Sequence, residues 1–280
     1  MTNITGAILA GGLGTRLRSV VSDRPKVLAL VRGKPFLAYL LDQLGTADIR
    51  RVVLLTGYKG EQIEETFGSR YGNIQLEYSI ETEPLGTAGA LRLALPKLFP
   101  AAASTGDQTA GTVLMLNGDS FCAADLAGFR TFHEQHTNPK RERGLTLSPW
   151  LALQVSLASG GEQYSIKTVS TGGASLVLTR VPDTSRFGKV EITSADRVER
   201  FIEKQEAGGA GWINAGIYLI PQCLVEQIPT GRPVSIEREM FPAWSQSGNL
   251  HGFRGQGEFL DIGTPESYRA AEEFFARRAA

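Results

Sequence analysis

Short apolar runs alternate with helix-period segments through the first half of the 280-residue chain. Each run ends in Gly, Asn or Asp, where an α/β fold turns. Residues 52–55 and 113–116 are apolar at every position, as is typical of parallel strands that are covered on both faces. The pattern predicts strands at Ile4–Ala10, Arg51–Thr56, Ile74–Ser79 and Thr112–Asn117, and helices at Lys34–Leu44, Lys59–Phe67 and Thr87–Leu98.

The second half of the chain continues this pattern less regularly. It predicts strands at Ser175–Arg180, Lys189–Ile192 and Trp212–Ile220, and a helix at Pro265–Arg278. We therefore expect an α/β fold: a Rossmann-like, mixed but mostly parallel central sheet with helices on both faces, in a single domain over residues 1–280. Ligands of such sheets bind beyond the carboxyl ends of the strands.

One long stretch interrupts the alternation, between a helix that ends near His136 and the strand at Ser175. Most connections in compact domains have only a handful of residues. We interpret residues 137–173 as an atypical insertion, which begins with charged turn formers and ends in a segment rich in Ser, Thr and Gly. A surface excursion without a catalytic role is one interpretation, and a segment that impairs substrate entry is the other.

Composition excludes several classes of protein. The 29 Lys and Arg residues balance the 29 Asp and Glu residues, so no overall field attracts nucleic acid or anionic lipid. No apolar run approaches the roughly 20 residues that span a bilayer. The two cysteines and three histidines are not at metal-ligand spacing. We expect a soluble, cytoplasmic protein with no nucleic-acid and no membrane partner.

A glycine-rich loop follows the first predicted strand. Gly11, Gly12 and Gly14 let backbone amides approach a phosphate, and Arg16 adds a guanidinium that binds phosphate in a bidentate manner. The spacing is neither the dinucleotide fingerprint nor the NTPase phosphate loop, so a tight strand-to-helix turn explains the glycines equally well. Lys26 follows a turn that can fold it back over the loop as a second cation.

These residues, followed by Pro25-Lys26, resemble the signature of the sugar-phosphate nucleotidyltransferases. Further segments match the motifs of that family in the same order and cover nearly the whole chain outside the insertion: residues 83–89, 117–119, 187–188, 203–204, 214–216 and 259–265. Within the family the likeness is greatest to guanylyltransferases that act on mannose-type sugars. Val27 replaces the second proline of the common Pro-Lys-Pro, which alters packing after the lysine more than its charge.

The resemblance implies a fold, a reaction and a set of site residues. The fold is the glycosyltransferase-A-like nucleotidyltransferase fold, here without the C-terminal β-helix of some relatives because the chain stops soon after Asp261. In the implied reaction, a sugar 1-phosphate attacks the α-phosphorus of GTP and pyrophosphate leaves in line. The implied catalytic residues are Arg16 and Lys26. The implied nucleotide-binding residues are Leu9, Gly11, Gly12, Gly14, Thr15, Arg16, Glu83, Pro84, Gly86 and Thr87. The implied sugar-phosphate-binding residues are Gly118, Gly188, Glu203, Lys204 and Asn214, and the implied Mg²⁺ ligands are Asp119 and Asp261.

The chemistry of the reaction explains these residue types. A phosphate monoester is already a dianionic nucleophile near neutral pH, so the protein has to hold two anions together rather than supply a nucleophile. Mg²⁺ takes a few carboxylates and shares its other positions with phosphate and water, for which Asp119 and Asp261 suffice. A Gly-Asp turn and a helix cap, respectively, are the structural alternatives for these two aspartates.

Base selection has two candidates. Guanine presents two adjacent donors on its Watson–Crick edge, and a carboxylate accepts both. Glu83 is the first candidate and Glu81 is its rival, while solvated loop acids are the alternative for both.

Other functional hypotheses remain open at this stage. The enzyme can use mannose 1-phosphate, or UTP or dTTP with another hexose 1-phosphate, and a non-catalytic nucleotide-binding subunit is a hypothesis of another class. A homo-oligomer is compatible with the resemblance, but no interface can be read from the sequence.

Overall fold

The computed structural model describes residues 4–12, 14–17, 19–100, 111–137, 152–155, 166–169, 172–204, 206 and 208–279. The strands in chain order are β1 (Ile4–Leu9), β2 (Leu30–Val31), β3 (Lys34–Pro35), β4 (Arg51–Thr56), β5 (Arg70–Tyr71), β6 (Ile74–Ile80), β7 (Thr112–Asn117), β8 (Ser120–Cys122), β9 (Ala152–Val155), β10 (Ile166–Val169), β11 (Ala174–Val181), β12 (Lys189–Ile192), β13 (Val198–Ile202), β14 (Gly211–Pro221), β15 (Leu250–Arg254) and β16 (Phe259–Asp261). The helices are α1 (Phe36–Thr46), α2 (Gly60–Phe67), α3 (Gly86–Leu93), α4 (Leu95–Leu98), α5 (Leu126–Thr137), α6 (Gln222–Glu226), α7 (Phe241–Gln246) and α8 (Pro265–Ala279). A 3₁₀ turn at Lys26–Leu28 and a π-helical turn at Ile236–Met240 complete the elements.

Eight strands form the central sheet in the order β15-β11-β14-β7-β1-β4-β6-β5. All of them run in one direction except β14 and β5, which are antiparallel to their neighbours. Because β1, β4, β6 and β7 are parallel neighbours, their carboxyl ends meet at one edge of the sheet. The predicted mixed, mostly parallel α/β sheet is confirmed.

Apolar side chains pack on both faces of this sheet. One buried cluster contains Phe36 of α1, Phe129 of α5 and Phe274 of α8. The cluster on the other face contains Leu91 of α3 and Trp244 of α7. Since each face of a buried sheet needs its own apolar cover, this division explains why the central strands read as apolar runs without alternation.

Two predicted helices differ from the observed ones for local reasons. The helix predicted from Lys34 begins at Phe36, because β3 first pairs with β2 in a short antiparallel hairpin. The helix predicted over 87–98 is divided into α3 and α4 at Ala94. Pro96 has no N–H to donate within the helix, which favours an end to α3 at this point.

The predicted insertion falls largely outside the described residues. Helix α5 ends at Thr137, and within the segment β9 and β10 form an antiparallel pair. The rest of residues 138–171 lies outside the part of the chain that the structure describes. Among the described helices, none combines the length and apolarity that crossing a lipid bilayer demands.

Candidate active site

A cleft of about 690 Å³ opens at the carboxyl ends of the parallel strands. Residues that follow β1, β4, β6 and β7 supply most of its wall, and the 3₁₀ turn and the π-helical turn supply Lys26 and Glu237. The cleft therefore lies where open α/β sheets bind ligands.

Close backbone approaches fix two glycines of this wall. A Cβ on Gly11 would lie 2.8 Å from Glu81 Oε1 and 3.0 Å from the Gly57 amide nitrogen. A Cβ on Gly118 would collide with the carbonyl oxygen of Leu9. Both glycines thus allow the turns after β1 and β7 to approach neighbouring backbone within the cleft.

An ion pair joins two cleft residues that are remote in sequence. The Lys26 ammonium lies 2.9 Å from Asp119 Oδ2, and the Lys26 side chain is only 11% exposed while that of Asp119 is 46% exposed. Pro25 precedes the 3₁₀ turn that carries Lys26, and the preceding loop is held because Lys59 Nζ donates to the carbonyl oxygen of Asp23 at 2.9 Å. The backbone at Lys26 is therefore held in a position from which its side chain reaches the cleft.

Strand pairing brings Asp261 next to Asp119. In the antiparallel pair β8–β16, Asp261 is the partner of Ser120, and the Ile262 amide donates to the Asp119 carbonyl oxygen at 2.9 Å. A methyl group placed on Gly263 would lie 2.7 Å from Asp261 Oδ1 and 3.7 Å from Lys26 Nζ. Both carboxylates are thus in the neighbourhood of the Lys26 ammonium.

The Asp261 carboxylate is itself well supported. Its Oδ1 accepts from the Gly263 amide at 2.8 Å and from Ser267 Oγ at 3.2 Å, while its Oδ2 lies 3.2 Å from Arg186 Nη2. Each aspartate therefore has a cationic side chain beside it. Carboxylate oxygens are the ligands that a divalent ion such as Mg²⁺ requires, and these two carboxylates already attract cationic side chains. Among the described residues no set of three or more His, Cys, Asp or Glu side chains is placed to hold a metal, so the remaining ligands would have to come from substrate and water.

The two candidate base readers occupy different environments. Glu83 is exposed at the rim of the cleft, whereas Glu81 is partly buried between the turns that contain Gly11 and Gly57. Burial raises the pKa of Glu81, and its Oε2 accepts from the Leu85 amide at 3.1 Å, which opposes that rise in pKa. The structure thus presents Glu81 as the more enclosed of the two carboxylates.

Residues 86–88 are docked on the segment that precedes the π-helical turn. The Ala88 amide donates to the Val234 carbonyl oxygen, and the Val234 amide donates to the Leu85 carbonyl oxygen. Thr87 Oγ1 accepts from the Ile236 amide at 2.8 Å. Gly86 has φ of +72°, and a Cβ there would lie 2.6 Å from the Val234 carbonyl oxygen. Glycine at this position therefore satisfies both the backbone conformation and the close contact.

This contact positions Glu237, the first acidic residue of the π-helical turn. Asn214 Nδ2 lies 3.4 Å from Glu237 Oε1 and 2.9 Å from Tyr218 Oη, and the nearby Asn117 side chain lowers the pKa of Glu237. Glu237 is solvent-accessible from the cleft but has protein on its other sides. Burial and the nearby Asp119 raise the pKa of Glu237, and Lys204 opposes this rise in pKa.

Most of the predicted site residues converge on the cleft. Those that line it are Leu9, Gly11, Gly12, Gly14, Thr15, Arg16, Lys26, Glu83, Pro84, Gly86, Thr87, Gly118 and Asp119. Those outside its lining are Gly188, Glu203, Lys204, Asn214 and Asp261. Of the latter, Asn214 reaches the cleft through Glu237, and Asp261 through Gly263.

The remaining three predicted sugar-side residues, Gly188, Glu203 and Lys204, are neighbours at the edge of the β12–β13 hairpin. Gly188 has φ of +81°, and a Cβ there would lie 2.8 Å from the Ile202 carbonyl oxygen and 3.9 Å from the Lys204 amide. Glu203 and Lys204 are exposed. The backbone thus brings residues 187–188 and 203–204 together, as their joint assignment to one function requires.

Gly57 and Glu237 are among the cleft residues that the sequence does not single out. Gly57 follows β4 and resembles any strand-ending glycine, and Glu237 resembles an ordinary acid in the first turn of a helix. Their position is decided by the packing of β4 on β1 and of residues 234–237 on residues 85–88, which periodicity does not reveal.

The model of the nucleotidyl transferase family matches residues 5–148 and 163–278, which include the cleft. The chain belongs to the nucleotidyl transferase family. The unmatched residues 149–162 lie within the predicted insertion. The resemblance inferred from the sequence motifs is confirmed.

Curated relatives of this nucleotidyl transferase include two guanylyltransferases. The chain is 35% identical over 266 residues to D-glycero-alpha-D-manno-heptose 1-phosphate guanylyltransferase of Aneurinibacillus thermoaerophilus, covering 95% of this chain and 96% of that protein. It is 32% identical over 268 residues to mannose-1-phosphate guanylyltransferase of Mycobacterium tuberculosis, where it covers 95% of this chain but only 62% of the longer relative.

Solved structures give the same result for the fold. HddC from Yersinia pseudotuberculosis superposes with a TM-score of 0.73 at 28% identity, over 98% of this chain and 100% of that chain. A second HddC structure, complexed with GMP-PN, has a TM-score of 0.72 at 28% identity over the same shares of the two chains.

Proposed function

We propose that this nucleotidyl transferase joins GTP to a manno-configured sugar 1-phosphate, D-glycero-α-D-manno-heptose 1-phosphate, and releases pyrophosphate. The observation that carries the proposal is the convergence of Asp119 and Asp261 beside Lys26 at the carboxyl edge of the sheet. The choice of GTP and of the heptose rests on the relative from A. thermoaerophilus, because this chain matches almost its full length.

The triphosphate would lie against the turn after β1. Gly11, Gly12 and Gly14 bring backbone there without side chains in the way, and Arg16 is exposed beside them in the cleft wall. Arg16 would hold the triphosphate in a bidentate manner, and Lys26, which packs beside Gly14 of the same turn, would add a point charge. Both cations would offset the charge that builds on nonbridging oxygens as pyrophosphate leaves.

Guanine would be read by Glu81. Its carboxylate is held at Oε2 by the Leu85 amide and has little room to move between the turns at Gly11 and Gly57. A fixed carboxylate accepts from the N1–H and the exocyclic amine of guanine together, which no other common base offers in that arrangement. Glu83, exposed at the rim, remains the alternative reader.

Asp119 and Asp261 would hold Mg²⁺. The bound ion would neutralise phosphate charge and orient the reacting groups. The Lys26 ammonium and the Arg186 guanidinium that pair with these carboxylates are then free to bind phosphate oxygens instead. Lys26 and Arg186 would thus bind the negatively charged substrates. The mutual repulsion of the two substrates is the main obstacle to their approach.

The sugar 1-phosphate would enter from the side of the β12–β13 hairpin. Lys204 would bind its phosphate. The charge of Lys204 lowers the pKa of Glu237, which lies on the side of the cleft next to Asp119. Glu203 and Asn214 would contact ring hydroxyls, and Gly118 and Gly188 would allow the sugar to approach the backbone. We place the reaction in the cytoplasm, because the free cysteines Cys122 and Cys223 are typical of a reducing compartment.

Pyrophosphate release tests this proposal. Purified protein is incubated with Mg²⁺, each of GTP, UTP and dTTP, and a panel of sugar 1-phosphates that contains the manno-heptose, mannose and glucose compounds. The expected result is release with GTP and a manno-configured sugar. Release only with UTP or dTTP and a glucose-type sugar would favour the other nucleotide class, and no release with any pair would contradict an enzymatic function.

A further inference from the structure

A carboxylate faces the cleft at a position where the proposed chemistry does not call for negative charge. Glu237 lines the cleft, and the Asp119 carboxylate is close enough to raise its pKa. The site as proposed binds two phosphate-bearing substrates, so a second carboxylate on this side opposes their binding unless it makes compensating contacts. Among the residues that the structure describes, none forms an ion pair with Glu237.

The polar group nearest the Glu237 carboxylate is a side-chain amide, while the Lys204 and Arg238 cations lower its pKa without forming an ion pair with it. Asn214 Nδ2 is 3.4 Å from Glu237 Oε1, and the Asn117 side chain, which also lines the cleft, lowers the pKa of Glu237. Asn214 also donates to Tyr218 Oη at 2.9 Å, and its own Oδ1 accepts from the Gly216 amide at 2.9 Å. Asn214 is thus held in one orientation, and the network leaves lone pairs of the Glu237 carboxylate for a donor in the cleft.

The backbone that carries Glu237 is held by hydrogen bonds to residues 85–88. Ser235 caps the π-helical turn, because its Oγ accepts from the Arg238 amide at 3.2 Å. The Ile236 amide donates to Thr87 Oγ1 at 2.8 Å, and Val234 exchanges backbone hydrogen bonds with residues 85 and 88. Such support holds a side chain within the narrow tolerance that recognition of a small polar group needs.

We propose that Glu237 is a specificity-determining residue that accepts a hydrogen bond from the 2- or 3-hydroxyl of the sugar ring. This inference rests on the proposed function, and it adds to Glu203 and Asn214 a carboxylate from a different part of the chain. Hydroxyl groups are donors that a carboxylate binds strongly. With the sugar phosphate bound at the proposed metal site, the 2-hydroxyl next to the anomeric carbon and the 3-hydroxyl beyond it would be the ring hydroxyls nearest Asp119.

A site built to bind a hydroxyl discriminates strongly against the analogue that lacks it, because the site's polar groups then lose their partner. The assay therefore uses the best manno-configured sugar 1-phosphate of the pyrophosphate panel together with its 2-, 3- and 4-deoxy analogues. Wild-type enzyme is compared with Glu237→Gln, which keeps the side-chain shape, and with Glu237→Ala. Glu226→Gln is the matched control, because Glu226 is an exposed carboxylate on α6 outside the cleft lining.

The expected result has three parts. Glu237→Gln raises KM for the sugar 1-phosphate about tenfold, while KM for GTP and kcat stay near the wild-type values. Wild-type enzyme loses at least about thirtyfold in kcat/KM with the 2-deoxy or the 3-deoxy analogue. In both Glu237 variants that loss falls to less than about threefold, and Glu226→Gln behaves like wild type.

Other results overturn the inference. Unchanged deoxy-analogue losses in a folded Glu237→Gln variant would show that no ring hydroxyl depends on this carboxylate. A normal KM for the sugar together with weakened Mn²⁺ binding, measured by electron paramagnetic resonance with GTP present, would make Glu237 a metal ligand instead. If wild-type enzyme releases no pyrophosphate with any pair, the proposed function itself fails, which is a different outcome from these.

Discussion

The Lys26 ammonium lies 2.9 Å from the Asp119 carboxylate although 93 positions separate the two residues in the chain. Lys26 follows a proline-initiated turn, and Asp119 follows a strand at the centre of the sheet. Their contact joins the proposed triphosphate side of the cleft to the proposed metal side. Because Asp119 is half exposed, the contact itself contributes little to stability, and we propose that its importance lies in the reaction.

Replacing this lysine separates stability from activity. Lys26→Met is expected to lower kcat/KM by about 10²- to 10³-fold, the loss typical when a donor to developing negative charge is removed. The free energy of unfolding is expected to change by less than about 1 kcal/mol. Steady-state pyrophosphate release and urea unfolding measure the two effects. Lys34→Met is the control, because Lys34 pairs with Asp42 away from the cleft, and it is expected to keep wild-type turnover. Wild-type activity in Lys26→Met would remove Lys26 from the mechanism.

The choice between Glu81 and Glu83 can be measured with two nucleotides. Inosine triphosphate lacks the exocyclic amine of guanine, so an enzyme that reads this amine prefers GTP. Glu81→Gln is expected to reduce kcat/KM for GTP by about ten- to a hundredfold and to abolish most of the preference for GTP over ITP, since a hydrogen bond to a charged group contributes about 1.5–3 kcal/mol.

The matched variant Glu83→Gln is expected to keep both the rate and the preference. The opposite pattern, with selectivity lost only in Glu83→Gln, would assign guanine recognition to the exposed carboxylate at the cleft rim.

Gly86 and Gly33 provide a matched pair of variants that tests the contact between residues 85–88 and Val234. Both have positive φ, but a Cβ on Gly33 meets nothing within 4 Å, whereas a Cβ on Gly86 would lie 2.6 Å from the Val234 carbonyl oxygen. Gly33→Ala is expected to cost about 1 kcal/mol of unfolding free energy through backbone strain alone. Gly86→Ala is expected to cost about 3 kcal/mol, because the collision adds to that strain.

Urea unfolding at pH 7.5 compares the two variants. Gly86→Ala should also raise KM for both substrates, since Gly86 itself lines the proposed nucleotide side of the cleft and the segment it displaces carries Glu237. Equal stability losses in the two variants would mean that the contact with Val234 relaxes without cost.

Acid is expected to destabilise the protein through two buried histidines. Burial lowers the pKa of His133 and of His251 to about 4, below the ordinary value of 6.5. Between pH 6.5 and 4 the unfolded chain therefore binds protons that the folded protein does not, so the free energy of unfolding falls as the pH falls through this range. For His133 alone the loss at pH 4 is about 3 kcal/mol.

Urea unfolding between pH 7.5 and 4.5 measures this dependence. His133→Asn is expected to flatten the pH dependence between 6.5 and 5, even though it loses stability at neutral pH together with the contact to Ser175 Oγ. A variant with the wild-type slope would show that His133 does not cause the acid sensitivity.

The sequence predicts the sheet well because its strands are long and apolar. Strands β4 and β7 have the predicted bounds, since four buried apolar residues in succession leave little alternative. The sequence pattern does not predict strand β15. It is a five-residue segment that contains Gly252 and a buried His251, and it becomes a strand because it pairs with the edge of β11. Pairing partners are a property of the whole fold, not of a local pattern.

The residues of the candidate site also divide into those that the sequence predicts and those that it does not. Residues of the glycine-rich turn and the two aspartates could be selected because their types and order resemble a known family. Glu237 could not be selected from the sequence, because an acidic residue near the start of a helical turn is common. Its position in the cleft depends on backbone contacts between Val234 and residues 85–88. Its contribution becomes visible only once those contacts are known.

The central claim is that Asp119 and Asp261 act together in guanylyl transfer. Its most direct test is pyrophosphate release from GTP and a manno-configured sugar 1-phosphate, across a Mg²⁺ titration, for wild-type enzyme and for Asp119→Asn and Asp261→Asn. We expect release by wild type, and a loss of at least about a hundredfold in either variant with a raised Mg²⁺ requirement. Wild-type rates in both variants, or no release by the wild-type protein with any triphosphate and sugar 1-phosphate, would contradict it.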